Sequence, residues 1–232
     1  MSGEVVVKTQ PELRCQNRHK KFKDSHCLLT ISVGQTAHEY LKFSATISLI
    51  NQSFKQCTIC VGDALQRYTL AMEMAIPPED LFDVATQLGD EWVQRNFCRY
   101  SLLNMPYEII RWGSYLIHPD FNLVKEKILT LHSSDLDCQK AFSSAIDLFM
   151  ERYLRKHCRG LPVTNEIVRN YCFEYLVEES VAMCLWAENK YDYDVYPGRR
   201  NPAMEFIHSK FIQPVTPNVL TSVVIKAVNL MY

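Results

Sequence analysis

Ser32 sits near the end of the run Cys27-Leu28-Leu29-Thr30-Ile31-Ser32-Val33, where a hydroxyl could serve as a nucleophile. Far downstream, Tyr175-Leu176-Val177-Glu178-Glu179 sets a phenol four residues before a carboxylate, and Tyr193-Asp194-Val195-Tyr196-Pro197 supplies a second tyrosine. Residues four apart on a helix lie roughly 5–6 Å apart at Cβ, so Tyr175 and Glu179 project together. Glu178 points about a hundred degrees away. A carboxylate beside a phenol could hold a substrate ammonium while the phenol orients it or relays a proton. Phe173, Leu176, Val177, Val181, Met183, Cys184 and Leu185 make this helix mostly buried, so its carboxylate must be paired or line a cleft.

The elements that would carry these groups are legible in outline. The run 27–33 reads as a buried strand broken by Gly34 and Gln35. Ala37 to Phe54 has helical spacing and Gln56 to Val61 is a second strand, which makes a βαβ unit with parallel strands. Leu65 to Met74 is a short helix stopped by Pro77-Pro78, and Glu79 to Arg99 a longer one. Tyr107 to Trp112 is a third strand, followed by helices at Phe121–His132, Leu136–Cys158 and Asn165 to about Trp186. Tyr191 to Tyr196 alternates as a strand, Pro197-Gly198 turns it, Asn201-Pro202 starts a helix, and Val219 to Val228 is the last strand. Strands alternating with helices predict an α/β fold with a doubly wound, mostly parallel sheet. Ligands bind at the carboxyl ends of the strands in such sheets, where Ser32 falls.

With 232 residues, 47% of them apolar and 11% aromatic, the chain fits one α/β domain spanning 1–232 with a packed core. A net charge of −1 does not advertise nucleic-acid binding. No secretory signal and no run long enough to span a bilayer is present; with nine scattered cysteines this predicts a cytoplasmic protein with reduced thiols. Cys57-Thr-Ile-Cys60 has zinc-like spacing but lacks a second ligand pair, so a core strand is the expected reading and no metal site is expected. No Gly-x-Gly-x-x-Gly, Walker, Gly-x-Ser-x-Gly or His-Glu-x-x-His motif occurs. A reaction at Ser32 would therefore use a substrate that arrives activated, without ATP or metal.

The ordered set of motifs resembles the tRNA-dependent cyclodipeptide synthases. Thr30-Ile31-Ser32-Val33-Gly34-Gln35 looks like the catalytic serine block, Tyr175 to Glu179 like the Tyr-x-x-x-Glu motif, and Tyr196-Pro197 like the tyrosine motif that follows. Gln35 and Pro197 match the branch in which proline follows that tyrosine; Thr30 stands where many members carry glycine. The resemblance implies a Rossmann-like fold similar to the catalytic domains of class I tyrosyl- and tryptophanyl-tRNA synthetases, without their ATP signatures. It implies that Ser32 accepts an aminoacyl group from one aminoacyl-tRNA. A second aminoacyl-tRNA then reacts to give a dipeptidyl-enzyme, and cyclisation releases a diketopiperazine. Tyr175 and Glu179 would hold the first ammonium and Tyr196 would assist proton transfer. Pocket walls are expected near Thr30, Gln35, Gly62 and Pro197.

A tRNA partner calls for local basic surface. Arg14, Arg18, Lys20, Lys21 and Lys23 lie within ten residues free of acids, and Arg152, Arg155, Lys156 and Arg159 share one helix face. The N-terminal group, leading into the Ser32 strand, is the favoured contact. The two aminoacyl-tRNAs are the expected partners, with no membrane, and the protein is expected to act as a monomer. Two other readings compete: a serine hydrolase pairing Ser32 with one of the seven histidines, His38 or His118 being candidates, and a non-catalytic tRNA-binding relative of the synthetases.

Overall fold

The computed structural model describes residues 8–156 and 163–230. Six strands are present: β1 (Lys8–Arg14), β2 (His26–Ser32), β3 (Gln56–Gly62), β4 (Tyr107–Arg111), β5 (Tyr193–Tyr196) and β6 (Thr221–Leu230). The α-helices are α1 (Tyr40–Ser53), α2 (Arg67–Met74), α3 (Phe82–Tyr100), α4 (Gly113–Leu116), α5 (Phe121–Ser134), α6 (Leu136–Lys156), α7 (Asn165–Glu188) and α8 (Pro202–Ile207). The strands form one sheet in the order β1-β6-β5-β2-β3-β4. All pairings are parallel except β1 against β6.

The chain leaves β2 in one direction, to β3 and β4, and later returns to its other flank with β5 and β6. The order therefore reverses between β2 and β5. At such a switch point the flanking connections diverge to opposite faces and leave a crevice beyond the strand ends. Ser32 ends β2 and Tyr196 ends β5.

Both faces of the sheet are covered, so its central strands are apolar on both sides. Leu29, Ile31, Ile59 and Val195 pack with Phe43, Ile47 and Trp92 of α1 and α3. Leu28 and Cys60 pack on the other face, with residues of α2 and α4 to α8. Cys57 and Cys60 fall in these two opposite clusters, both fully buried, so they cannot share one metal ion. Among the described residues no helix is long and apolar enough to cross a membrane.

Three departures from the sequence pattern matter. β1 is a strand that the polar run Lys-Thr-Gln-Pro-Glu-Leu-Arg does not announce. It is an edge strand, where proline is tolerated because one row of backbone groups faces away from the sheet. The helix expected over 37–54 is broken: a 3₁₀ turn covers Thr36–His38, Glu39 is extended, and Tyr40 adopts φ +48° before α1 proceeds. The break turns the buried His38 inward, where its carbonyl accepts the Trp92 indole N–H at 3.1 Å. The expected helix from Glu79 is likewise a 3₁₀ turn at Pro78–Leu81 followed by α3.

Candidate active site

The end of β2 is shaped by its turn. Gly34 has φ +83°, in the left-handed region that favours glycine. Gln35 donates its N–H to Ser32 O at 3.2 Å and accepts the His38 N–H at 2.9 Å, closing the loop over the strand end. Gly62, paired with Ser32 across β3, is buried; an added Cβ there would lie 3.0 Å from Ile31 O and 3.7 Å from the Trp112 ring.

Across the switch point the Ser32 hydroxyl meets the Tyr196 phenol at 3.0 Å. Burial raises the Tyr196 pKa, and the charges of Glu179 and Asp194 add to that, against the Ser32 hydrogen bond. The phenol therefore stays protonated at neutral pH. Tyr175 is held well above the phenol range, by burial first and then by the Glu179 charge and by Tyr196. Glu179 accepts Asn201 Nδ2 at 3.1 Å. Burial lifts its pKa to about 7, with Asp194 raising it and the Asn201 bond and Arg200 pulling it down. Ser32, Tyr175, Glu179 and Tyr196, drawn from two strands and one helix, thus lie close together.

Glu178, next in sequence to Glu179, faces α2. Its carboxylate takes both guanidinium nitrogens of Arg67, the Trp112 indole N–H at 2.8 Å and the Tyr68 hydroxyl at 3.2 Å. The Tyr68 ring in turn lies edge-on to Tyr175, with centroids 6.3 Å apart. The hundred-degree offset expected for Glu178 holds, and it delivers the side chain to a buried ion pair.

The expected pocket residues divide. The Thr30 hydroxyl donates to Asp194 Oδ1 at 3.1 Å and so is already engaged. Gln35 is exposed at the rim and Pro197 is half-buried beside Tyr196. Sequence reasoning missed Asp194 and Arg200 and read Asn201 only as a helix cap. An acid within an otherwise apolar strand, and an arginine after the Pro-Gly turn, were the available signals.

Neither histidine named for a hydrolase supports one. His38 Nδ1 accepts the Ser32 backbone N–H at 2.9 Å, and burial lowers its pKa to about 4. His118 Nδ1 accepts the Asp120 N–H at the start of α5. Among the described residues, no histidine hydrogen-bonds the Ser32 hydroxyl.

The two basic groups lie in different places. Lys20 pairs with Asp192 at 3.2 Å, and Asp192 accepts the N–H of His26, the first residue of β2. This sets Lys20 at the amino ends of the strands, roughly 20 Å from Ser32 at about 3.3 Å per residue. Arg14 ends the edge strand paired with Glu12, Arg18 covers the Phe22 ring, and Lys21 and Lys23 are exposed nearby. Leading into the Ser32 strand in sequence therefore places Lys20 at its far end, whereas Arg14 pairs with Val224, the partner of Tyr196, and so lies level with the end of β5. The Arg152 charge, by contrast, acts on Tyr196. Arg155, one turn on, is exposed and paired with Glu151 at 3.4 Å. Lys156 ends α6, and Arg159 lies outside the described residues.

No family model matches the chain, and no curated protein does. Solved structures do. A CDPS from Fluoribacter dumoffii is 38% identical, with a TM-score of 0.88, over 96% of this chain and 100% of that one. A cyclodipeptide synthase from Candidatus Glomeribacter gigasporarum, bound to Phe-tRNAPhe, is 17% identical with a TM-score of 0.71 over 94% and 93%. A Mycobacterium tuberculosis protein whose structure relates cyclodipeptide synthetases to type I tRNA synthetases is 9% identical, with a TM-score of 0.70 over 98% and 99%. The last two share the fold.

Proposed function

The chain belongs to the cyclodipeptide synthase family, and we propose that it joins two aminoacyl groups from aminoacyl-tRNAs into a diketopiperazine through an ester on Ser32. The contact of Ser32 with Tyr196 across the switch point, beside Tyr175 and Glu179, carries this reading.

The proposed chemistry proceeds as three acyl transfers. Ser32 Oγ attacks the aminoacyl ester carbonyl; the bond to the tRNA ribose oxygen breaks, and that oxygen takes up the serine proton. The ester already carries the activation, so no ATP or metal ion takes part. Glu179 and Tyr175 hold the ammonium of the bound aminoacyl group. A carboxyl pKa of about 7 suits Glu179 both to pair with that ammonium and to accept its proton. The freed amine attacks the ester carbonyl of the second aminoacyl-tRNA; the bond to that tRNA's ribose oxygen breaks, the oxygen takes up the proton the amine loses, and a dipeptidyl group is left on Ser32. The new terminal amine then attacks the Ser32 ester, the six-membered ring closes, and the protonated Tyr196 phenol relays a proton back to Ser32 Oγ.

Arg152 and Arg155 lie on the Tyr196 side and are proposed to meet the acceptor end of the tRNA, in place of the N-terminal group. The Phe-tRNAPhe complex of the Glomeribacter relative supports a tRNA partner. Such a partner implies a cytoplasmic enzyme, and one chain holds all four groups, so a monomer suffices.

The test is to supply purified protein with aminoacyl-tRNAs and follow diketopiperazines by mass spectrometry. Wild type forms product, and Ser32→Ala forms none while keeping its circular dichroism and melting temperature. Product from the alanine variant, or synthesis from free amino acids and ATP after tRNA digestion, would overturn the proposal.

A further inference from the structure

Asn201 hydrogen-bonds in two directions. Its Oδ1 accepts the Met204 N–H at 2.9 Å and caps α8, while its Nδ2 donates to Glu179 at 3.1 Å. Arg200, one residue earlier, sends Nε and Nη2 to Asp194 Oδ2 at 3.2 and 3.1 Å, and Nη2 also reaches Leu220 O. Asp194 receives Thr30 on its other oxygen. The Arg200 and Asp194 side chains are 5% and 6% exposed, so this pair is shielded from solvent and held at both ends. The turn after β5 thereby ties together β2, β5, α7 and α8.

We propose that Asn201 and the Arg200–Asp194 pair are positioning residues that aim the Glu179 carboxylate at the substrate amine and fix its charge environment. The inference rests on the reading that Glu179 meets that amine. A hydrogen bond from a neutral amide favours the ionised carboxylate, as does the Arg200 cation; Asp194 opposes both, and Arg200 offsets it. Tyr175, Tyr196 and His208 around this turn do not change charge near neutrality. Burial first, and neighbouring charge second, keeps Tyr175 on α7 and Tyr196 on β5 protonated. Burial, then the Arg200 charge, keeps His208 beyond α8 neutral. Arg152 on α6 faces Tyr196 and lowers its pKa through charge. Glu179 is left as the group that titrates.

The experiment follows the Glu179 carboxyl by carbon NMR in the free enzyme, alongside the acid limb of kcat/KM. Wild type, Asn201→Ser and Asn201→Asp are compared. Serine keeps an N-cap acceptor for Met204 but lacks the reach to Glu179; aspartate keeps the cap and adds a negative charge. The serine variant should raise the Glu179 midpoint by about one pH unit, and aspartate should raise it further. The acid limb should move in step while melting temperatures stay close to wild type. An unmoved midpoint in the serine variant overturns the proposal whether or not its melting temperature falls, because it leaves Asn201 as a helix cap only. The NMR midpoint needs no turnover, so wild type that titrates normally but makes no product defeats the synthase reading, and an unmoved midpoint defeats this one.

Discussion

Glu178 and Glu179 are carboxyl groups one residue apart, and their partners dictate opposite responses to the same substitution. Glu178 faces the Arg67 guanidinium, which is mostly buried, so Glu178→Gln leaves a cation without its counter-ion. Breaking a buried pair from one side costs about 3 kcal/mol. Glu178→Gln should therefore lower the melting temperature markedly and reduce activity only through loss of folded protein. Glu179 behaves differently. Its folded pKa of about 7 lies above the usual 4.5. The stability linked to that proton is fully present below pH 4.5 and is lost as pH rises through about 7. Glu179→Gln should remove this loss and melt higher than wild type at pH 8, by an amount that vanishes near pH 4.5. The same variant should lose at least a hundredfold in cyclodipeptide formation, since a neutral amide cannot pair with the substrate ammonium. Melting curves at both pH values with product assays check the pair. Equal behaviour of the two variants would contradict the geometry.

At the scale of the element, the turn after β2 controls how Ser32 is presented. Nothing lies within 4 Å of a Cβ built on Gly34, so Gly34→Ala meets no steric obstacle and its whole effect is backbone strain at φ +83°. A cost of about 1 kcal/mol follows, or roughly 2–4 °C in melting temperature. Because the Gln35 and His38 hydrogen bonds fold this turn over Ser32, the rate should fall by more than that stability change explains. A rate loss no greater than the folded fraction predicts would show that the turn is only a connector.

This turn also shows why sequence reached some features and not others. Ser32, Tyr175, Glu179 and Tyr196 were legible because strand ends and i, i+4 spacing are local properties that survive into the fold. The break at Glu39–Tyr40 was not, because a tertiary contact between Trp92 and the His38 carbonyl overrides the helical spacing of 37–54. β1 was missed because an edge strand needs no apolar alternation. The Arg200 and Asn201 contacts with Asp194 and Glu179 join segments that no local pattern connects. Closeness to Ser32 in sequence, the reason for favouring the N-terminal group, ignores the length of β2, which puts Lys20 at its other end.

Across the whole molecule, a doubly wound sheet brings Ser32 and Tyr196 to the carboxyl edge of its strands, and under the proposed reaction a tRNA would deliver its aminoacyl end there. A near-neutral protein can hold such a polyanion only through a local patch on that side. Arg152 is close enough to act on Tyr196, and Arg155 extends the same helix outward. Lys20 and Lys21 lie at the opposite edge, where Lys20 is paired with Asp192. Each phosphate contact contributes about 0.7–0.9 to the slope of log K against log salt. The Arg152→Glu, Arg155→Glu double variant should therefore bind aminoacyl-tRNA at least tenfold more weakly and flatten the salt dependence by about 1.5 units. The Lys20→Glu, Lys21→Glu variant should bind with nearly the wild-type slope. Both should retain the wild-type melting temperature, since exposed charges and surface pairs add little stability. Filter binding of a non-hydrolysable aminoacyl-tRNA analogue across a salt series separates the two surfaces. If reversal at Lys20 and Lys21 flattens the slope and reversal at Arg152 and Arg155 does not, the tRNA body rests on the amino edge and only its acceptor end crosses to Ser32.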